Sequence, residues 1–154
     1  MKKTAASAEN VYVDPSGLLK LYLHEPESRA MTRWRARLHG AVAVTLFGRV
    51  ELVNAIGLAL ARGFLGKTAH KAALAALDDD FVNGRCVVVD VSWRAAFRLA
   101  DDISRKWTPR LICRSLDVLH VASALALNRK FFVTFDVRQR ELARATGLKL
   151  VFPR

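Results

Sequence analysis

The order of elements written in this sequence predicts an α/β fold, a parallel sheet covered by helices on both faces. Three observations carry the prediction. Short apolar runs recur along the chain, and stretches of helical periodicity separate them. The runs are apolar throughout instead of alternating with polar residues, which is how strands buried on both faces read. The chain has 154 residues, 52% of them hydrophobic, with 8 Gly and 4 Pro, which suffices for the core of one domain and excludes disordered and low-complexity classes.

Taken in order, Val11-Tyr12-Val13 is the first strand, Asp14-Pro15-Ser16-Gly17 a turn, and Leu18, Leu19, Leu21 and Tyr22 recur at helical spacing up to Pro26. A second helix begins near Ser28, with Ala30, Met31, Trp34 and Leu38 facing inward and Arg29, Arg33 and Arg37 in an outward stripe. Ala41 to Thr45 form the next apolar run, and Thr45 caps a long apolar helix over about 46–63. Gly63 and Gly66 bracket a break before a helix at roughly 67–80. Asn83-Gly84 turns into the β-branched run from Cys86 to Asp90. Ser92 then caps a helix predicted to bury Trp93, Phe97, Ala100 and Trp107, ending in a loop around Pro109. Ser115 opens a helix to about Asn128, Phe131 to Thr134 form a strand, a short helix starts near Val137, and Lys149 to Phe152 make the last strand. Strands that alternate with helices in this way pair in parallel through right-handed crossovers.

The 25 Lys and Arg outweigh 14 Asp and Glu, leaving a formal charge of +11, and 17 of the 25 are Arg, whose planar fork matches phosphate. A surface of this kind attracts polyanions, nucleic acid first among them. The longest stretches without a charged residue, 38–48 and 118–128, are far short of the ~20 apolar residues that cross a bilayer. The opening Met1 to Glu9 has no apolar core of a secretory leader, so a cytoplasmic location is expected, with no membrane association. Cys86 and Cys113 stand in unlike settings with no zinc-ligand spacing, and read as reduced thiols.

Carboxylates are scarce, so their positions are informative. Asp14 follows the first strand and Asp136 follows the strand ending in Thr134, and ligands of open α/β sheets bind outside the carboxyl ends of strands. Glu51 lies in the first turns of an apolar helix, and Asp117 opens another. Helices that follow strands begin at that same edge, so four carboxylates from distant parts of the chain are expected to meet in one crevice. Four carboxylates sharing one crevice raise one another's pKa unless a cation neutralises them, and an all-oxygen donor set suits Mg2+ or Mn2+. Such ions activate water and stabilise in-line displacement at a phosphodiester, which with the basic surface suggests a nuclease. Asp14 and Asp136 also read as helix caps, and Asp117 as a partner of its helix dipole.

These segments resemble the PIN-domain family, and within it the VapC-type toxin ribonucleases. Val11 to Tyr22 is similar to the family's opening strand, acid, hydroxyl and Leu-rich helix; Thr45 with Glu51 resembles its second element. Arg114 to Ala124 resembles the third, and Val133 to Asp136 the fourth, so the likeness runs over about 11–152. The resemblance implies a PIN-like three-layer α/β/α domain spanning 1–154, with a parallel central sheet of about five strands. It implies a Mg2+- or Mn2+-dependent ribonuclease acting on RNA, a homodimer, and inhibition by a small antitoxin protein. Carried over by position, Asp14, Glu51, Asp117 and Asp136 are the acidic catalytic and metal-binding set, with Ser16 and Thr134 as supporting hydroxyls. Pro15 departs from the family pattern and leaves one amide donor fewer beside Asp14.

The remaining polar groups read as structural. Asp78-Asp79-Asp80 point in different directions from a helix and form a solvated helix end. Asp90 reads as part of a cap, His120 as a satisfied core residue, and His24, His39 and His70 have no partner pattern. The Arg98 and Asp102 pair reads as a solvated face, and Trp34 as core or dimer interface rather than a base-stacking residue. The rival from another class is a non-catalytic basic module that binds RNA or protein, against which the buried acidic positions argue, since phosphate binding gains nothing from them. A dinucleotide-binding reading fails because no G-x-G-x-x-G follows a strand.

Overall fold

A computed structural model describes residues 7–154. After a 3-10 turn at Ala8–Asn10, the chain forms β1 (Val11–Val13), α1 (Pro15–Leu18) with a 3-10 continuation at Leu19–Leu21, α2 (Ser28–Arg37) and β2 (Val42–Val44). It continues through α3 (Leu46–Ala61), α4 (Lys67–Val82), β3 (Cys86–Val88), α5 (Trp93–Leu111), α6 (Ser115–Ala126), β4 (Phe131–Val133), α7 (Val137–Ala145) and β5 (Lys149–Leu150). All strand pairs are parallel, in two ladders, β1-β4-β5 and β2-β3. β1 lies beside β2, and the ladders are joined by a parallel bridge between Ser7 and His39, where the Ala8 amide donates to the His39 carbonyl at 3.0 Å. The five-strand parallel sheet is therefore present as two short ladders meeting at β1.

The pleat of the strands divides the core into two layers. Val11 and Val13 face a cluster with Leu18, Met31, Leu52, Ile56 and Leu77, on the side of α1 to α4. Tyr12 points the other way, into a cluster with Ile103, Val118, Val121, Phe132 and Leu142 from α5, α6, β4 and α7. Successive side chains of one strand thus enter opposite layers, as period 2 requires. β1 has β2 on one side and β4 on the other, so the chain reverses its direction of travel across the sheet there, and the crevice beyond its carboxyl end is the natural ligand site.

Five expectations need correction. The helix after β1 is only one turn of α followed by 3-10, and the segment then bends so that the Tyr22 hydroxyl donates to Asp80 at 2.7 Å. β3 is not buried on both faces: Val87 and Val88 are exposed, because β3 is the end strand of its ladder and α5 departs to pack on α6. α5 does not stop before Pro109 but runs through it to Leu111, and Ile112 closes it in the left-handed region at φ 52°. Phe97 is 58% exposed; the buried stripe of α5 follows Ala96 and Ile103 instead. Arg98 and Asp102 form no ion pair, and Arg105 pairs with Asp101 at 2.8 Å on the solvated face.

The acidic run at the end of α4 is more than solvated. Asp78 pairs with Arg49, and Asp79 and Asp80 both bind Arg85, which ties the helix end to the start of β3. Cys86 is buried and Cys113 half-buried, and both thiols are free. Burial pushes each thiol pKa up, which keeps it protonated and unreactive.

Candidate active site

Asp14 is the residue after β1 and caps α1: its Oδ1 accepts the Gly17 amide at 3.2 Å and the Ser16 hydroxyl at 2.7 Å. Pro15 sits at the first helical position, where the missing N–H would have had no partner, so it fits the loop. The Ser16 hydroxyl also accepts the Phe135 amide at 2.9 Å and lies 3.2 Å from the Thr134 hydroxyl. Thr134 in turn accepts the Asp136 amide at 3.1 Å. The two predicted hydroxyls therefore lock the end of β1 to the end of β4. Asp14 is 4% exposed, and desolvation pushes its carboxyl from the ordinary 3.8 up to about 6, against opposing pulls from His120, Ser16 and the Gly17 amide. Both of its hydrogen bonds fall on Oδ1, so Oδ2 stays available for a ligand.

Glu51 comes from the second turn of α3. Thr45 caps that helix by accepting the Gly48 amide at 3.0 Å, and a Cβ on Gly48 would stand 2.9 Å from the Thr45 hydroxyl, so only glycine fits the turn. Glu51 Oε2 lies 2.5 Å from His120 Nε2, and His120 Nδ1 lies 2.7 Å from the Tyr12 hydroxyl. Tyr12 is buried, which raises its hydroxyl pKa and keeps the proton on it. The ring thus spends both nitrogens, Nε2 on Glu51 and Nδ1 on the Tyr12 hydroxyl. The His120 ring is wedged against Phe47 at a centroid distance of 4.5 Å and edge-on to Tyr12 at 5.8 Å, so Glu51 is aimed by a ring that cannot turn.

Asp117 is buried in the first turn of α6, and its Oδ2 accepts the Arg114 amide at 3.3 Å, closing the helix start from inside. Ser115 opens α6 as expected, and Arg114 is the residue at the N-cap. Its guanidinium grips Asp117 twice, Nε to Oδ2 at 3.0 Å and Nη2 to Oδ1 at 3.3 Å, and reaches Asp136 Oδ2 at 3.2 Å. Asp136 keeps its other oxygen on the Gln139 amide at 3.0 Å and so caps α7. Asp117, then Asp136 and Glu51, hold the Arg114 guanidinium above its ordinary pKa. The cap readings of Asp14 and Asp136 hold, and each cap leaves one carboxylate oxygen directed elsewhere.

The four carboxylates are thus linked through two side chains: Arg114 binds Asp117 and Asp136 and senses Glu51, while His120 binds Glu51 and acts on Asp14. Among the described residues, no three acidic, His or Cys side chains are placed to share one ion as they stand. Arg114 stands in for a cation between two of them, and an all-oxygen donor set around it fits a hard divalent ion.

The PIN domain family model matches residues 11–145. The chain belongs to the PIN domain family. Ribonuclease VapC46 of Mycobacterium tuberculosis (strain ATCC 25618 / H37Rv) is 30% identical over 145 residues, covering 93% of this chain and 97% of that protein. Ribonuclease VapC47 of Mycobacterium tuberculosis (strain CDC 1551 / Oshkosh) is 29% identical over 148 residues, 93% of this chain and 96% of that protein. Among solved structures, Mycobacterium tuberculosis VapC20, a sarcin-ricin loop cleaving toxin, superposes with a TM-score of 0.67 at 19% identity, covering 93% of this chain and 99% of that one. That likeness shows the PIN fold.

Two side chains of this PIN site escape a sequence reading. His120, read as a core residue, is buried but bonded to Glu51, and Arg114 spans two of the acids. The signal was spacing: Arg114, Asp117 and His120 succeed one another three residues apart, which puts them along one helical face. Asp79 and Asp90 are exposed and contact none of the four acids.

Proposed function

We propose that this chain is a metal-dependent endoribonuclease, the toxin of a toxin-antitoxin pair, and that 1–154 is a single PIN nuclease domain with its core at about 11–152. The observation that carries the reading is Arg114 held between Asp117 and Asp136 beside the buried Asp14 and the aimed Glu51: a site that concentrates negative charge at the carboxyl edge of the sheet and needs cations to balance it. Membership of a family whose relatives include ribonucleases, together with a net charge of +11, supports RNA as substrate.

Asp14, Glu51, Asp117 and Asp136 are the residues that would hold Mg2+ or Mn2+. Such an ion, when bound, supplies an activated water and neutralises charge that develops on the phosphate. The protein's own part is positional. Ser16 and Thr134 fix Asp14 against β4; His120, held by Tyr12 and Phe47, fixes Glu51; the Arg114 amide fixes Asp117. Arg114, Arg138 and Arg140 gather on the β4 to α7 side, with Arg140 donating to the Thr134 carbonyl at 3.1 Å, and give the RNA backbone a basic rim.

For the partners, α3 supports a homodimer. Its outer face carries an apolar strip, Leu46, Val50 and Val53, exposed at 55%, 67% and 41%. Met31, Leu38 and Ile56 are unavailable for a partner because they are core. A groove lined by Leu65, Ala69, Ala73 and Ala76 of the α4 side, with Arg29 and Arg33 of α2 on its rim, suits an apolar segment of a small acidic antitoxin. No helix among the described residues is long and apolar enough to cross a membrane, which supports a cytoplasmic location; the reading of residues 1–9 as no leader rests partly on 1–6, outside the described residues.

The test is incubation of the purified protein with RNA oligonucleotides in Mg2+ or Mn2+, followed by mapping of the product ends. Cleavage abolished by EDTA, with 3′-hydroxyl and 5′-phosphate ends, is expected. Ends carrying 2′,3′-cyclic phosphate, or cleavage unaffected by chelation, would overturn the mechanism.

A further inference from the structure

The guanidinium of Arg114 makes three hydrogen bonds, all to carboxylates of the proposed metal set: two to Asp117 and one to Asp136. Among the described residues no other side chain pairs with either acid: the Gln139 amide is the other partner of Asp136 and the Arg114 amide the other partner of Asp117. The side chain is 66% exposed although its tip is turned into the crevice. Its stem therefore packs little, and it can swing outward without disturbing α6, whose first turn is closed by the backbone amide and not by the guanidinium.

We propose that Arg114 is a tethered cation that competes with the divalent ion for Asp117 and Asp136, holding the site together when metal is absent and yielding to it when metal arrives. The inference rests on the metal-site reading given above. One positive charge against four carboxylates leaves the crevice strongly negative, so a divalent ion still enters, but it must displace a bidentate Arg-carboxylate contact to use both oxygens of Asp117. The displaced guanidinium remains anchored at the N-cap, at the mouth of the site, where it meets the RNA phosphate. Arg114 thus has two positions with two roles: counter-ion in the empty site, phosphate clamp in the loaded one. Its planar fork serves both, because carboxylate and phosphate present the same paired-oxygen geometry.

The proposal separates metal affinity from activity, and both are measurable on the intact chain. Mn2+ binding, followed by titration calorimetry and by loss of the free-ion electron paramagnetic resonance signal, is compared in the wild type, Arg114→Gln and Arg114→Lys. Arg114→Gln is expected to bind Mn2+ about tenfold more tightly, since a charge-assisted contact no longer has to be broken. It is also expected to melt earlier than wild type in EDTA, to lose most of that deficit at saturating Mn2+, and to cleave RNA more slowly there. Arg114→Lys, which keeps the charge but cannot span both acids, falls between. If Arg114 were only a cap, Arg114→Gln would bind Mn2+ as the wild type does and melt earlier by the same margin with and without metal; that result overturns the proposal and leaves the metal site standing. If neither wild type nor Arg114→Gln binds Mn2+, the metal-site reading falls, and this proposal with it.

Discussion

Asp14→Asn tests the electrostatics of the site through stability alone. Burial raises the Asp14 carboxyl from 3.8 to about 6 in the folded chain. At ~1.4 kcal/mol per pH unit, that difference corresponds to about 3 kcal/mol spent keeping the buried carboxylate ionised at neutral pH without metal. The sign follows from proton counting. Between pH 3.8 and about 6 the folded state holds a proton that the unfolded state has lost, so wild-type stability falls as pH rises through that window and is level above it. Asn keeps the Oδ1 that accepts the Gly17 amide and the Ser16 hydroxyl, and Asn caps helices as well as Asp does. Its bonds are weaker than a carboxylate's by about 1 kcal/mol in sum, which leaves a gain of about 2 kcal/mol at neutral pH. Urea denaturation in EDTA at about pH 7.5 and about pH 4 measures it by linear extrapolation. The variant is expected to be the more stable at the higher pH and to lose that advantage at the lower. A variant less stable than wild type at neutral pH, or an advantage unchanged at low pH, would refute the argument that burial of charge dominates at Asp14.

Four further outcomes are expected. Asp14→Asn, Glu51→Gln and Asp117→Asn each lower initial cleavage rates at saturating Mg2+ by about 100-fold or more, Asp136→Asn by less, and exposed Asp79→Asn leaves both rate and stability near wild type. Asp117→Asn, unlike Asp14→Asn, gains no stability in EDTA, because the charge it removes is already paired with Arg114. Tyr12→Phe strands His120 Nδ1 in a buried position, costs about 1–3 kcal/mol in urea denaturation, and slows cleavage by loosening Glu51. Val50→Glu is expected to convert the proposed homodimer to monomer in light scattering at micromolar concentration; a wild type already monomeric there would count against the dimer.

Most of the fold is legible locally. Short apolar runs and helical periodicity place the five strands and all of the longer helices within a few residues, because both patterns are set by which side chains must leave water. The errors have a common origin in neighbours distant along the chain. Val87 and Val88 read as core from composition, but their strand is the last of its ladder, and no amount of β-branching reveals which strand is last. Phe97 reads as buried by type, yet the rotation of α5 against α6 is fixed by Ala96 and Ile103 and leaves it outside. Pro109 reads as a helix end, but α5 continues through it because packing along α6 offsets the hydrogen bond that the proline cannot donate.

The candidate site divides in the same way. By itself the sequence determined which groups are out of place: an acid after each of two apolar strands and an acid in the first turns of each of two apolar helices, all expected at one edge once the sheet is parallel. Chemical type and position in an element suffice for that, since an ionised carboxylate in an apolar segment always demands a partner. Only the tertiary structure decided what that partner is. His120 meets Glu51 across 69 residues, and Tyr12 meets His120 across 108, because α6 packs over β1 with α3 beside it. Arg114 reaches Asp136 across 22 residues because β4 ends where α6 begins. A hydrogen bond acts over about 3 Å, a distance the sequence does not encode until the chain has folded.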